Sequence, residues 1–233
     1  MMTPRTHPIT VVLPDSGPLI SLAMADALEL LLVFKDQVRV VITDFVEFEV
    51  TRYRNERADA QEICDFILMH AGLIEIEKTS IGEALIQQFK IRQRYDEDAA
   101  FRQSMNDMGI SPPSLPRDAG ELSIVSFVNG LISNPPGEPV LVIAEDDFFL
   151  ASGVATPGNA HIVSTRSFLE ALSNLGKMRE ARHVWADMNS VRPGVSQAQV
   201  DRPAQKISTS WKDVVDDDKA EAVNTMLRRR HRM

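Results

Sequence analysis

Short apolar runs of strand length alternate along this chain with amphipathic stretches of helix length, and that alternation restricts the fold more than any other feature. The runs are ITVVL (9–13), VRVVI (38–42), LIEIE (73–77), VLVIA (140–144) and HIVS (161–164). Strands separated by helices pair through crossovers and not as hairpins, so the pattern predicts an α/β three-layer sandwich around a central, mainly parallel sheet. In such sheets ligands bind beyond the carboxyl ends of the strands. The first run ends there in a lone acid, Asp15, with Ser16 as the expected N-cap of the next helix and Pro18 at its first position. An acid near a strand end or a helix start recurs at residues 49, 121 and 146.

Between the strands, apolar spacing predicts a helix from Pro18 to about Phe34 and another opening at Thr43 or Asp44. In the second, Phe45 and Val46 precede Glu49 by four and three positions and Tyr53 follows it by four, which puts Glu49 on the inward side and Glu47 on the outward one. ADAQEICDFILMH (58–70) reads as an amphipathic helix, and residues 80–108 as a long charged helix or helix pair. GISPPSLP (109–116) breaks the pattern, and a new helix follows with Asp118 and Glu121 at capping-box spacing. That spacing is a complete structural reason for Glu121. Ile124, Val125 and Val128 nevertheless place it at the head of a buried stripe, and both roles stay open.

The chain has 233 residues, enough for one good-sized domain with an appendage, which we place at 1–180 and 181–233. The second part carries a linker rich in Pro, Ser and Gln and then a short amphipathic helix ending in Arg228, Arg229, Arg230 and Arg232. A single cysteine, Cys64, rules out an internal disulfide and suits a reducing compartment. The richest apolar run, ALELLLVF, is too short to cross a bilayer, and no early segment has the make-up of a signal peptide. A cytoplasmic protein with no membrane partner is therefore expected. The net charge of −8 argues against a broad basic surface, although bound cations and local arginines can still attract a polyanion.

Four acids from distant parts of the chain, Asp15, Glu49, Glu121 and Asp146, thus fall near one rim of the expected sheet. Crowded carboxylates repel, and burial adds to the cost of keeping them ionised. A divalent cation relieves that conflict. Oxygen donors, scattered histidines and the absence of a cysteine pair favour Mg²⁺ or Mn²⁺ over zinc. Two such ions roughly 3.5–4 Å apart stabilise the entering and leaving oxygens of an in-line displacement, which is phosphodiester hydrolysis.

VVLPDSGPLISLA, VVITDFVEFEV, DAGELSIVSF and VLVIAEDDFFLA, in that order, resemble the motifs of the PIN-domain ribonucleases, which include many toxins of bacterial toxin–antitoxin pairs. The resemblance covers about residues 9–175. It implies a metal-dependent endoribonuclease acting on RNA, with Asp15, Glu49, Glu121 and Asp146 as the catalytic metal-binding set and Asp147 and Ser16 as auxiliaries. It also implies an antitoxin protein and a homodimer as partners. Many members carry a further acid two positions after the one matching Asp146, and here that place is Phe148; Asp118 is the nearest candidate to compensate.

Two other readings compete. One keeps the fold and drops turnover, giving a catalytically degenerate binding or regulatory module; Phe148 and the length of the chain motivate it. The other is an aspartyl phosphoacceptor domain, which lacks a second Asp two positions after Asp15, where Gly17 stands. For Asp146 and Asp147 the bland alternative is charge placement at a helix start. For the arginine-rich end it is an ordinary basic terminus, set against insertion of an arginine into the acidic site as antitoxins do.

Overall fold

β-branched and aliphatic residues fill most positions of the central strands, and these are the residues that suit a pleated layer covered on both faces. A computed structural model describes residues 9–132 apart from 34 and 37, then 139–145, 148–150 and 160–174. Five parallel strands form one sheet in the order β3-β2-β1-β4-β5: β1 Val11–Pro14, β2 Arg39–Thr43, β3 Ile74–Glu77, β4 Val140–Ile143 and β5 Ala160–Val163. β1 lies in the middle, with Val11 opposite Arg39 on one side and Val140 on the other. All residues of β1 and β4 are buried. The α/β sandwich with a parallel central sheet is therefore as expected, and among the described strands the pairing is parallel throughout.

The helices among the described residues are α1 Ser16–Met24, α2 Asp44–Thr51, α3 Ala58–Met69, α4 Ser80–Glu97, α5 Ala99–Asp107, α6 Ala119–Ile132 and α7 Thr165–Asn174. Residues 80–108 resolve into a helix pair hinged at Asp98, which ends α4 and caps α5 by accepting the Phe101 N–H at 3.0 Å. Two expectations are corrected. The helix expected over 18–34 stops at Met24, where Asp26 takes a left-handed φ of 50°, and a separate 3₁₀ turn follows over Leu28–Leu32. A run of leucines fits either form, so periodicity did not reveal the break. The N-cap of α1 is Asp15, with Ser16 as the first helical residue.

Two apolar clusters hold these layers. The larger joins the strands to α1, α3, α6 and α7 through side chains such as Leu13, Leu22, Ile63, Ile124 and Leu172. The smaller, Phe45, Leu85 and Ala119 with Phe48, Ile86 and Leu122 beside it, ties α2, α4 and the start of α6 together. None of the described helices is long and apolar enough to cross a membrane. The expected extension over 181–233, with its arginines, lies outside the described residues.

Candidate active site

From β1 the chain winds to β2 and β3 on one side, then crosses back to place β4 and β5 on the other. The carboxyl ends of β1 and β4 therefore form the switch point at which open α/β sheets leave a crevice. Asp15 stands in it. Its backbone N–H donates to Ile143 O at the end of β4 at 2.9 Å, so the residue is tied to both strands. Although Asp15 is the N-cap of α1, its side chain makes no capping hydrogen bond, and the residue is only 3% exposed. Helix capping thus does not account for the carboxylate.

Gly120 shows where the side chain goes. A methyl group placed on its Cα would lie 3.3 Å from Asp15 Oδ1, 3.2 Å from Glu49 Oε2 and 3.5 Å from Val46 Cγ2. The two carboxylate oxygens can be no farther apart than the first two of those distances laid end to end. Asp15 from the start of α1 and Glu49 from the second turn of α2 thus both reach the space against the bare backbone at the head of α6. Glu121 follows Gly120 directly in the first turn of α6 and is 8% exposed. Only glycine leaves that space open.

Hydroxyls fix this corner. Ser123 Oγ donates to Gly120 O at 2.6 Å, so the 2.6 Å contact between Thr43 and Ser123 has Thr43 as donor, because a hydroxyl has one proton to give. Both side chains are fully buried. Thr43 caps α2 by position without a side-chain capping bond; its hydroxyl instead joins the end of β2 to the head of α6. Ser123→Ala is expected to strand the Thr43 hydroxyl and lower stability by about 1–3 kcal/mol, while Thr43→Val with Ser123→Ala costs less than the two single changes added. Urea unfolding of the four proteins checks this, and strict additivity would refute the shared bond.

A second carboxyl group departs from the sequence reading. Glu47, expected to face outward, is half-buried, and burial first and the nearby Asp44 charge second push its carboxyl above the ordinary 4.5, with Arg54 opposing. Asp44 itself is buried, accepting the Thr79 hydroxyl at 3.0 Å, and Thr79 in turn caps α4 by accepting the Gly82 N–H at 2.8 Å. A raised folded-state pKa means that Glu47 supports folding fully below pH 4.5 and loses that contribution as pH rises through the raised value. Glu47→Gln, which mimics the protonated side chain, should therefore be more stable than the natural protein at pH 7 and no different below pH 4.5. Equal melting temperatures at pH 7 would refute it.

Beyond β4, Glu145 is held by two hydroxyls, Thr165 Oγ1 at 2.6 Å and Ser21 Oγ at 3.0 Å, and packs over Gly17, where a methyl group would come within 3.3 Å of its Cβ. This acid anchors the start of α7 and the buried face of α1 across the switch point. Sequence reasoning passed over it; the available signal was Ser21, a hydroxyl inside an apolar helical stripe that needs a buried partner. Asp146 and Asp147 lie outside the described residues. Phe148 is half-buried with its ring edge-on to Phe149 at 5.2 Å, and Asp118 stands before α6 with its carbonyl accepting the Leu122 N–H at 3.0 Å.

Of the expected acids, then, Asp15 and Glu49 both reach the space over Gly120, and Glu121, the next residue along α6, is buried. Among the described residues no three His, Cys, Asp or Glu side chains gather closely enough to hold a metal ion. Mg²⁺ nonetheless is commonly bound through only one or two carboxylates, with water and substrate oxygens completing its shell, and an oxygen-only pair suits it or Mn²⁺. In comparisons with protein-family models, curated proteins and solved structures, the chain matches none.

Proposed function

We propose that the protein is a ribonuclease that hydrolyses RNA phosphodiester bonds with Mg²⁺ or Mn²⁺ held by Asp15 and Glu49, and with Glu121, Asp146 and Asp147 completing the acidic set. The observation that carries this reading is that the Asp15 carboxylate, buried at the switch point and not used as a cap, shares the cradle over Gly120 with Glu49. Two carboxylates brought together, one of them buried, repel, and positive charge between them relieves the repulsion. A cation supplies that charge and, when bound, acidifies water and polarises a phosphoryl oxygen. The chain's own part is to hold the donors still: Thr43 and Ser123 place the head of α6, and the Ile143 carbonyl places Asp15.

The resemblance to PIN-domain toxins adds, as proposals, a silencing antitoxin and a homodimer. A second reading, a binding module without turnover, is favoured by the lack of a three-acid group among the described residues. Calorimetric titration with Mn²⁺, followed by incubation of a labelled RNA with Mn²⁺ or with EDTA, decides between them. Saturable Mn²⁺ binding and EDTA-sensitive cleavage support the ribonuclease, and an absence of both supports the module.

A further inference from the structure

We propose that Arg52, Tyr53 and Phe89, at the C-terminal end of the helix that carries Glu49, form a shelf on which one nucleobase of a single-stranded substrate stacks. The proposal takes its substrate class from the nuclease reading above and adds strandedness to it. Arg52 is the C-cap of α2 and keeps helical backbone angles, so it follows Glu49 at the three-residue spacing that shares a helix face, and Tyr53 is the next residue, in the turn beyond the helix. The Arg52 guanidinium lies 4.7 Å from the centroid of the Tyr53 ring and 4.7 Å from that of Phe89 on α4. Phe89 is itself fixed edge-on against Phe48 at 5.1 Å.

Arg39, Arg57, Arg92 and Arg94 each pair with a carboxylate, whereas among the described residues Arg52 and Arg54 make no ion pair; Arg54 donates to Cys64 Sγ at 3.7 Å, and the Arg52 guanidinium lies against two rings. It is exposed, and Tyr53 is 39% exposed. On a chain of net charge −8, an uncompensated planar cation stacked on exposed aromatic surface is suited to a ligand that is both flat and anionic. Nucleotides are such ligands, and bases stack on aromatic rings and guanidinium planes alike. The stack already holds its rotamers, so little ordering remains to oppose binding. Bases in a duplex are stacked on one another and present no face, which limits the shelf to unpaired RNA.

The test uses the full chain with Mn²⁺ and one fluorescein-labelled RNA of about 12 nucleotides, single-stranded or annealed to its complement, reading KM, kcat and binding by anisotropy. Tyr53→Ala is expected to raise KM and Kd for the single strand roughly 5- to 150-fold, the equivalent of one base stack, with kcat and duplex binding little changed. Tyr53→Phe keeps the ring and should keep the natural KM. Arg52→Lys keeps the charge but loses the plane and should weaken single-strand binding as well, which decides the matter if Tyr53→Ala fails to fold. If the natural protein cleaves and Tyr53→Ala retains its single-strand KM, or loses single strand and duplex equally, the shelf is overturned and the nuclease reading stands. If nothing is cleaved, the nuclease reading fails, and an unchanged Kd for the single strand in Tyr53→Ala overturns the shelf independently.

Discussion

Asp15→Asn is expected to lower metal-dependent RNA cleavage by at least about a hundredfold, the loss that typically follows removal of one preorganised group at a reacting centre. The same change should raise the melting temperature in EDTA. Asparagine has nearly the shape of aspartate, so the bond from its backbone N–H to Ile143 O and the packing of a residue 3% exposed survive, while one of two carboxylates facing the cradle over Gly120 loses its charge. Repulsion between the two charges is thereby removed. Added Mn²⁺ should stabilise the natural protein, by mass action on the folded state, and leave the variant unmoved. A variant that is inactive and also less stable in EDTA would indicate an ordinary structural aspartate. A variant that cleaves normally would remove Asp15 from the site altogether.

Among the described glycines, Gly82→Ala should have the largest effect on stability. Within a helix alanine is ordinarily the better residue by up to about 1 kcal/mol. At Gly82, in the first turn of α4, the added methyl would overlap Asp44 Oδ1 and sit 2.6 Å from Asp44 Cγ and 2.7 Å from Thr79 Oγ1. Those atoms form the cap of α4 and its tie to α2, and both residues are buried, so neither can swing clear into solvent. The expected outcome is a loss of about 1–3 kcal/mol or more, seen as a lower urea midpoint with an unchanged slope. The penalty should shrink in an Asp44→Ala background, where the obstructing carboxylate is gone. A Gly82→Ala protein as stable as the natural one would mean that α4 docks differently.

Much of the architecture was legible in the residues because the relevant signals are local. Val12, Val41 and Val142 sit in runs that only a strand buried on both faces accommodates, and each of β1, β2 and β4 falls within a residue or two of its expected place. The helical character of 80–108 and the break after it followed from charge pattern and proline in the same way, whereas its division into two helices at Asp98 did not. The leucine-rich stretch 28–32 was misread because Asp26 turns the chain through a conformation that side-chain spacing does not register.

The site divides along the same line. Periodicity alone turned Glu49 inward, and the position of Asp15 after a strand put it near a crevice. That these two carboxylates both reach the space over Gly120 was settled by the crossover to β4 and by packing of Phe45, Leu85 and Ala119, contacts between segments far apart in the chain. Tertiary contacts likewise showed that Glu145 is an anchor and that the Asp15 side chain is not a cap. Hydrophobic period and turn chemistry are properties of a few neighbouring residues and can be read in one dimension. The direction of a polar side chain depends on which distant group satisfies it, and that is decided only when the layers close.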